Sequence, residues 1–155
     1  MSVKNSHFQN LKSSFTSPLW YNAFPMERLN YTILLKTSTA QRVYLLSALN
    51  FCKELLHAAH SIHCLFLQNE AVYLSSNTTV CLEDEISIQQ QWQYFIKENT
   101  LSTLVCTNSA LRRGIIDQHF AEIYRKQITL APMFKLAPLG ALFSAIEISD
   151  RFIQL

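Results

Sequence analysis

The chain has 155 residues, 49% hydrophobic and 15% charged, which fits one compact soluble domain. Ten Phe, six Tyr and two Trp exclude a disordered chain, because burying that much aromatic surface offsets the entropy of ordering. Thirteen basic against eleven acidic residues leave +2, too small a balance to announce direct nucleic-acid binding. No stretch approaches the roughly 18 consecutive apolar residues that cross a bilayer, so no membrane partner is expected either.

Residues 1–25 carry Lys4 and Lys12 but no acid, are rich in Ser and Asn, and contain Pro18 and Pro25. They read as a flexible N-terminal extension to a domain spanning 26–155. An organellar presequence, or translated sequence upstream of a start at Met26, are the other readings, and the absence of Arg weighs against the first.

From Tyr31 onward, short β-type runs alternate with helical periodicity, the mark of a parallel sheet covered by helices. Tyr31-Thr-Ile-Leu-Leu35 reads as a strand buried on both faces. A helix follows over Ala40 to Ala59, with a stripe of Val43, Leu46, Leu49, Cys52, Leu55 and Leu56. Ile62 to Leu67 is the second strand, and a less regular segment surrounds Ala71-Val-Tyr73. A polar linker ends in Glu83-Asp84-Glu85, acidic residues suited to the first turn of a helix marked by Ile86, Ile88, Trp92, Phe95 and Ile96. Leu101 to Cys106 is the third strand, and Asn108 to Gly114 a short helix closed by glycine. Asp117 to Gln127 reads as a helix with Phe120, Ile123 and Tyr124 on one side. An apolar stretch, Leu130 to Leu136, then leads to a helix over Pro138 to Ile148 and a closing strand over Arg151 to Leu155.

Four cysteines are present, with no Cys-x-x-Cys pair and hence neither a zinc ribbon nor a dithiol motif. Cys106 is the candidate for chemistry, since it ends a predicted parallel strand just before a helix. Ligands bind outside the carboxyl ends of such strands, and a helix N-terminus favours thiolate over thiol. The competing reading is a buried cysteine at a strand end. Cys52 and Cys64 fall on core positions, and Cys81 lies in the polar linker with no basic group or helix start to activate it. His57, His60 and His63 form the only metal-like spacing, but they straddle a turn that three ligands could not share on one rigid element. With two glycines in the chain, a Gly-rich phosphate cradle is excluded, so neither a metal nor a nucleotide cofactor is expected.

Val105-Cys106, Ala110-Leu-Arg-Arg-Gly114 and Asp117, read with Leu139-Gly140-Ala141-Leu142 and Asp150-Arg151, resemble the TusD/DsrE family of sulfurtransferases. Glu70, Val72-Tyr73 and Trp92 extend the likeness, which covers about Met26 to Leu155. The resemblance implies a single-domain, DsrEFH-like (flavodoxin-like) α/β fold, a parallel sheet flanked by helices. It implies that Cys106 carries sulfane sulfur as a persulfide, taken from a TusA-like donor and passed to a TusE-like acceptor for thiolation of the tRNA wobble uridine. It further implies assembly with TusB-like and TusC-like chains into a cytoplasmic heterohexamer. Arg112 and Arg113 then either orient an acidic partner surface or remain solvated charge. Where the family has a Gly-, Pro- and Tyr-containing loop after the first strand, this chain has Lys36-Thr-Ser-Thr-Ala-Gln41. A DsrE-like role in sulfur oxidation, a non-catalytic assembly subunit and a metal-binding module are the alternatives.

Overall fold

The computed structural model describes residues 27–80 and 87–155; the expected N-terminal extension, Cys81 and the Glu83-Asp84-Glu85 cluster lie outside them. Strand β1 (Asn30–Leu35) leads through helix α1 (Arg42–His57) to β2 (Ser61–Leu67). A 3-10 segment (Asn69–Ser75) and α2 (Ile88–Glu98) follow, then β3 (Thr103–Cys106), α3 (Thr107–Leu111) and α4 (Gln118–Tyr124). The chain closes with β4 (Lys135–Ala137), α5 (Leu139–Ile148) and β5 (Arg151–Gln154). All strand pairings are parallel, in the order β4-β3-β2-β1-β5. The chain is thus the expected single-domain α/β parallel sheet flanked by helices.

Alternation along each strand divides the core into two layers, because successive side chains leave opposite faces. Ile33 and Leu35, Leu65 and Leu67, and Val105 pack with α1, α2 and α3 through residues such as Leu45, Trp92 and Ala110. On the other face Leu34, Cys64, Phe66, Cys106 and Ala137 meet α5 through Leu142 and Ala145. The first layer is thick and the second is one helix deep.

The α1 stripe is rotated from its sequence-based placement. Val43 is 73% exposed, and the buried series runs Leu45, Ala48, Leu49, Cys52 and Leu55. The helix has apolar residues on more than one side, and packing against α2 selects among them: Trp92 is fully buried and its Nε1 donates to the Leu45 carbonyl at 3.2 Å. At α2, Ser87 caps the helix by accepting from the Gln90 amide, so the helix begins after the position its acidic flank suggested. No helix among the described residues is long and apolar enough to cross a membrane.

Gly114 ends α3 as the pattern predicts. It adopts φ +73°, its amide donates to the Leu111 carbonyl, and the Ile115 amide reaches back to the Ala110 carbonyl. This paired closure places Ile115 and Ala110 in the same buried layer. A Cβ at Gly114 meets no atom within 4 Å, so substitution strains the backbone without a clash. Gly114→Ala is therefore expected to cost about 1 kcal/mol through its left-handed conformation, with Gly114→Asn recovering part of that. Thermal unfolding followed by circular dichroism checks the order glycine above asparagine above alanine.

Candidate active site at the carboxyl edge of the sheet

Cys106 is the last residue of β3, pairs in register with Ala137 of β4, and is the N-cap residue of α3. The chain parts at this pair. Beyond Cys106 it turns into the first layer through α3, whereas beyond Ala137 it turns into the second through α5. Adjacent parallel strands whose continuations leave to opposite faces open a crevice at their carboxyl ends, which is where α/β sheets place reactive groups. Cys106 is 5% exposed and belongs to the same buried cluster as Phe66, Ala137 and Leu142. A thiol covered in this way meets a bulky reactant only when the residues above it yield.

The turn bearing Cys106 is fastened to the segment after β2. Asn69 takes a left-handed conformation and its amide donates to Ser109 Oγ at 3.2 Å. Glu70 Oε1 accepts from Arg113 Nε at 3.0 Å and also from Nη2, while Arg113 Nη1 donates to the Ser109 carbonyl at 3.1 Å. The two adjacent arginines thus differ: Arg113 is half-buried and paired, and Arg112 is exposed. The Lys36–Gln41 loop needs no glycine, since no residue in it has positive φ. Ser38 makes the turn, its carbonyl accepting from the Gln41 amide and its hydroxyl from the Ala40 amide.

Cys52 and Cys64 are core residues, as their positions suggested, one in each layer. Burial pushes the Cys52 thiol up to about 12 and the Cys64 thiol to about 11. The histidines are divided among separate tasks. His57 pairs with Glu54 on the α1 surface, His60 Nδ1 accepts from the Leu29 amide and its ring lies 5.5 Å from that of Tyr31, and His63 is in β2. Among the described residues no three His, Cys, Asp or Glu side chains gather as a metal site. A cavity of about 300 Å³ lies between the C-terminal turns of α1 and α2, lined by Lys53, His57, Tyr94 and Glu98 among others. Those turns lead into β2 and β3, so the cavity is at the opposite edge of the sheet from Cys106.

α4 forms within the Asp117 to Gln127 stretch read as a helix. Asp117 caps it by accepting from the Phe120 amide, but the apolar side read from the sequence faces outward: Ile123 and Tyr124 are each 56% exposed, and only Ala121 is buried. The helix belongs to an excursion closed at its base by Thr129, whose hydroxyl donates to the Gly114 carbonyl and accepts from the Ile116 amide. The pairing of Glu70 with Arg113 and the part played by Ser109 and Asn69 had no signal in spacing, because the partners come from different βα connections.

The DsrE/DsrF-like family model matches residues 30–155. Sulfurtransferase TusD of Buchnera aphidicola is 34% identical over 127 residues, covering 81% of this chain and 99% of that protein. The Photorhabdus laumondii protein of the same name is 32% identical over 130 residues, 83% of this chain and 99% of its own length. Among solved structures, the ychN protein of E. coli superposes with a TM-score of 0.58 at 15% identity, covering 83% of this chain and all of that one, and so shares the fold.

The raised thiols carry a pH signature. In the unfolded chain Cys52 and Cys64 ionise near 9.0, but in the folded chain only near 12 and 11, so above pH 9 the unfolded state binds fewer protons and stability falls as pH rises. The slope approaches ~1.4 kcal/mol per pH unit for each thiol. Urea midpoints taken between pH 8 and 10.5 should decline, and the decline should flatten in Cys52→Ala. An unchanged slope in that variant would show that Cys52 ionises as readily in the folded chain as in the unfolded one.

Proposed function

The chain belongs to the DsrE/DsrF-like family and is a sulfurtransferase, and on that premise we propose that it is a sulfur-relay subunit carrying sulfane sulfur as a persulfide on Cys106. The observation that carries the reading is positional. Among the described residues Cys106 is the one thiol at the carboxyl edge of the sheet, while Cys52 and Cys64 sit in core positions with ionisation suppressed.

The transfer is two exchanges that balance without a metal or nucleotide. The Cys106 thiolate attacks the outer sulfur of a donor persulfide; the new Cys106–sulfur bond forms as the donor's sulfur–sulfur bond breaks, and the donor leaves as thiolate. An acceptor thiolate then attacks the same outer sulfur and releases the Cys106 thiolate. The sulfane sulfur keeps its oxidation state, and no outside oxidant or reductant enters. The donor is TusA-like, the acceptor TusE-like and the end use thiolation of the tRNA wobble uridine, a reading supported by relatives named TusD that align over 99% of their length. The tRNA is not bound by this chain, and the compartment is the cytoplasm.

Assembly with TusB-like and TusC-like chains into a heterohexamer has its own physical support. The thin second layer leaves Leu139, Phe143, Ile148 and Phe152 between 43% and 65% exposed on and beside α5, large apolar side chains that a subunit contact would cover. Arg112 is exposed at the end of the Cys106 helix, which leaves its charge free either to orient an acidic partner surface or to stay solvated.

Intact mass spectrometry of wild type and Cys106→Ser after incubation with a persulfide-loaded donor decides the matter. Wild type alone should gain about 32 Da, removable by reductant. Equal gain in both proteins, or none in wild type with competent donor and partner subunits present, overturns the assignment to Cys106.

A further inference from the structure

The geometry points to Glu70 and Arg113 as positioning residues, a latch that holds the Cys106 turn closed; its bearing on sulfur transfer rests on the persulfide reading above. α3 has five residues and its N-cap side chain makes no capping hydrogen bond, so the helix has little stability of its own. Its fixation comes from the ends and from the side. At the C-terminal end the backbone amide of Arg113 goes to the Ala110 carbonyl, and the guanidinium of the same residue takes the Ser109 carbonyl. From the side, that guanidinium grips Glu70 through Nε and Nη2, and Ser109 Oγ accepts the Asn69 amide. One side chain therefore joins the middle of the Cys106 helix to the neighbouring connection.

A latch needs a rigid anchor, and Glu70 stands on one. Ala71, Val72, Leu74 and Ser75 of its 3-10 segment are buried. Gln89 Nε2 donates to the Tyr73 and Ser76 carbonyls, Gln93 Nε2 to the Leu74 carbonyl, and Ser76 bridges to Leu130. Glu70 is 45% and Arg113 22% exposed in their side chains, so the pair is reachable by water and can part without leaving a charge stranded in the core. The side-chain hydrogen bonds of Glu70 and Arg113 go to each other and to Ser109, none to Cys106. Their action is to set how often the turn opens and where the sulfur stands when it does.

The two buried thiols supply an internal control. Iodoacetamide labelling of each cysteine, resolved by peptide mass, is compared among wild type, Glu70→Ala, Arg113→Ala, the double variant and Arg112→Ala. Local loosening of the turn should raise the Cys106 rate by about five-fold in either latch variant, with the double variant no faster because one contact is removed twice. Cys52 and Cys64 should stay unlabelled, and Arg112→Ala should label as wild type. Glu70→Gln and Arg113→Lys, which keep part of the contact, should fall between and give the same comparison if the alanine variants do not fold. An unchanged Cys106 rate overturns the latch, as does a parallel rise at Cys52 and Cys64, the sign of global loosening. Sulfur loading of the same variants is read separately. Faster labelling with no loading even in wild type leaves the latch standing and removes the persulfide reading.

Discussion

The pairing of Cys106 with Ala137 is where the constraints of a parallel sheet meet. Parallel strands deliver all their carboxyl ends to one edge, and each return to the other edge requires a crossover that covers one face. The chain moves steadily outward from β1 to β4 with its crossovers packed on the first layer, and only α5 returns across the other face to place β5 beside β1. That return is held by the buried Thr32 hydroxyl donating to the Ala145 carbonyl at 3.0 Å, and by the Leu155 amide donating to the Leu34 carbonyl. The parting of the chain between β3 and β4 therefore follows from the strand order, and a residue ending β3 stands in the crevice whatever its type. Cys106 brings a thiol to that crevice.

The unequal thickness of the two layers bears on access. Cys106 points into the layer that is one helix deep, among Phe66, Leu142 and Ala137. Uncovering it disturbs the start of α5 and the short α3, elements that each bury few residues, and leaves the Trp92-centred layer intact. Openings of this kind cost far less than global unfolding. The same thinness leaves Phe143 and Ile148 facing outward on α5, the helix that also contributes Leu142 to the cluster of Cys106.

Much of this was legible in the sequence because it depends on local pattern. The doubly buried run at β1, the placement of Cys106 between strand and helix, and the glycine closing α3 each rest on neighbouring residues. The apolar side of α1 was misplaced because Val43 and Leu45 are equally apolar, and the choice between them is made by Trp92 forty-seven residues away. The apolar side of α4 was legible as a side but not as outward-facing, because periodicity reports amphipathicity without saying what, if anything, covers the apolar residues. Arg112 and Arg113 are indistinguishable as letters; Glu70, from another connection, separates them. The glutamines at 89 and 93 look like surface positions and prove to satisfy the carbonyls at the end of the 3-10 segment.

The separation of the arginines has a chemical consequence for the proposed relay. Each exchange replaces one thiolate by another, so a site that stabilised the loaded form strongly would slow the second step by as much as it favoured the first. Arg113, the cation nearest in sequence to be built into the Cys106 turn, is committed to Glu70 and Ser109, and its charge is matched there. Phe66, Leu142 and Ala137, which share the buried cluster of Cys106, carry no side-chain polar group to hold a sulfur. For the persulfide proposed above, a site of this kind shields the labile sulfur from water without trapping it, and leaves the direction of transfer to the proposed partners.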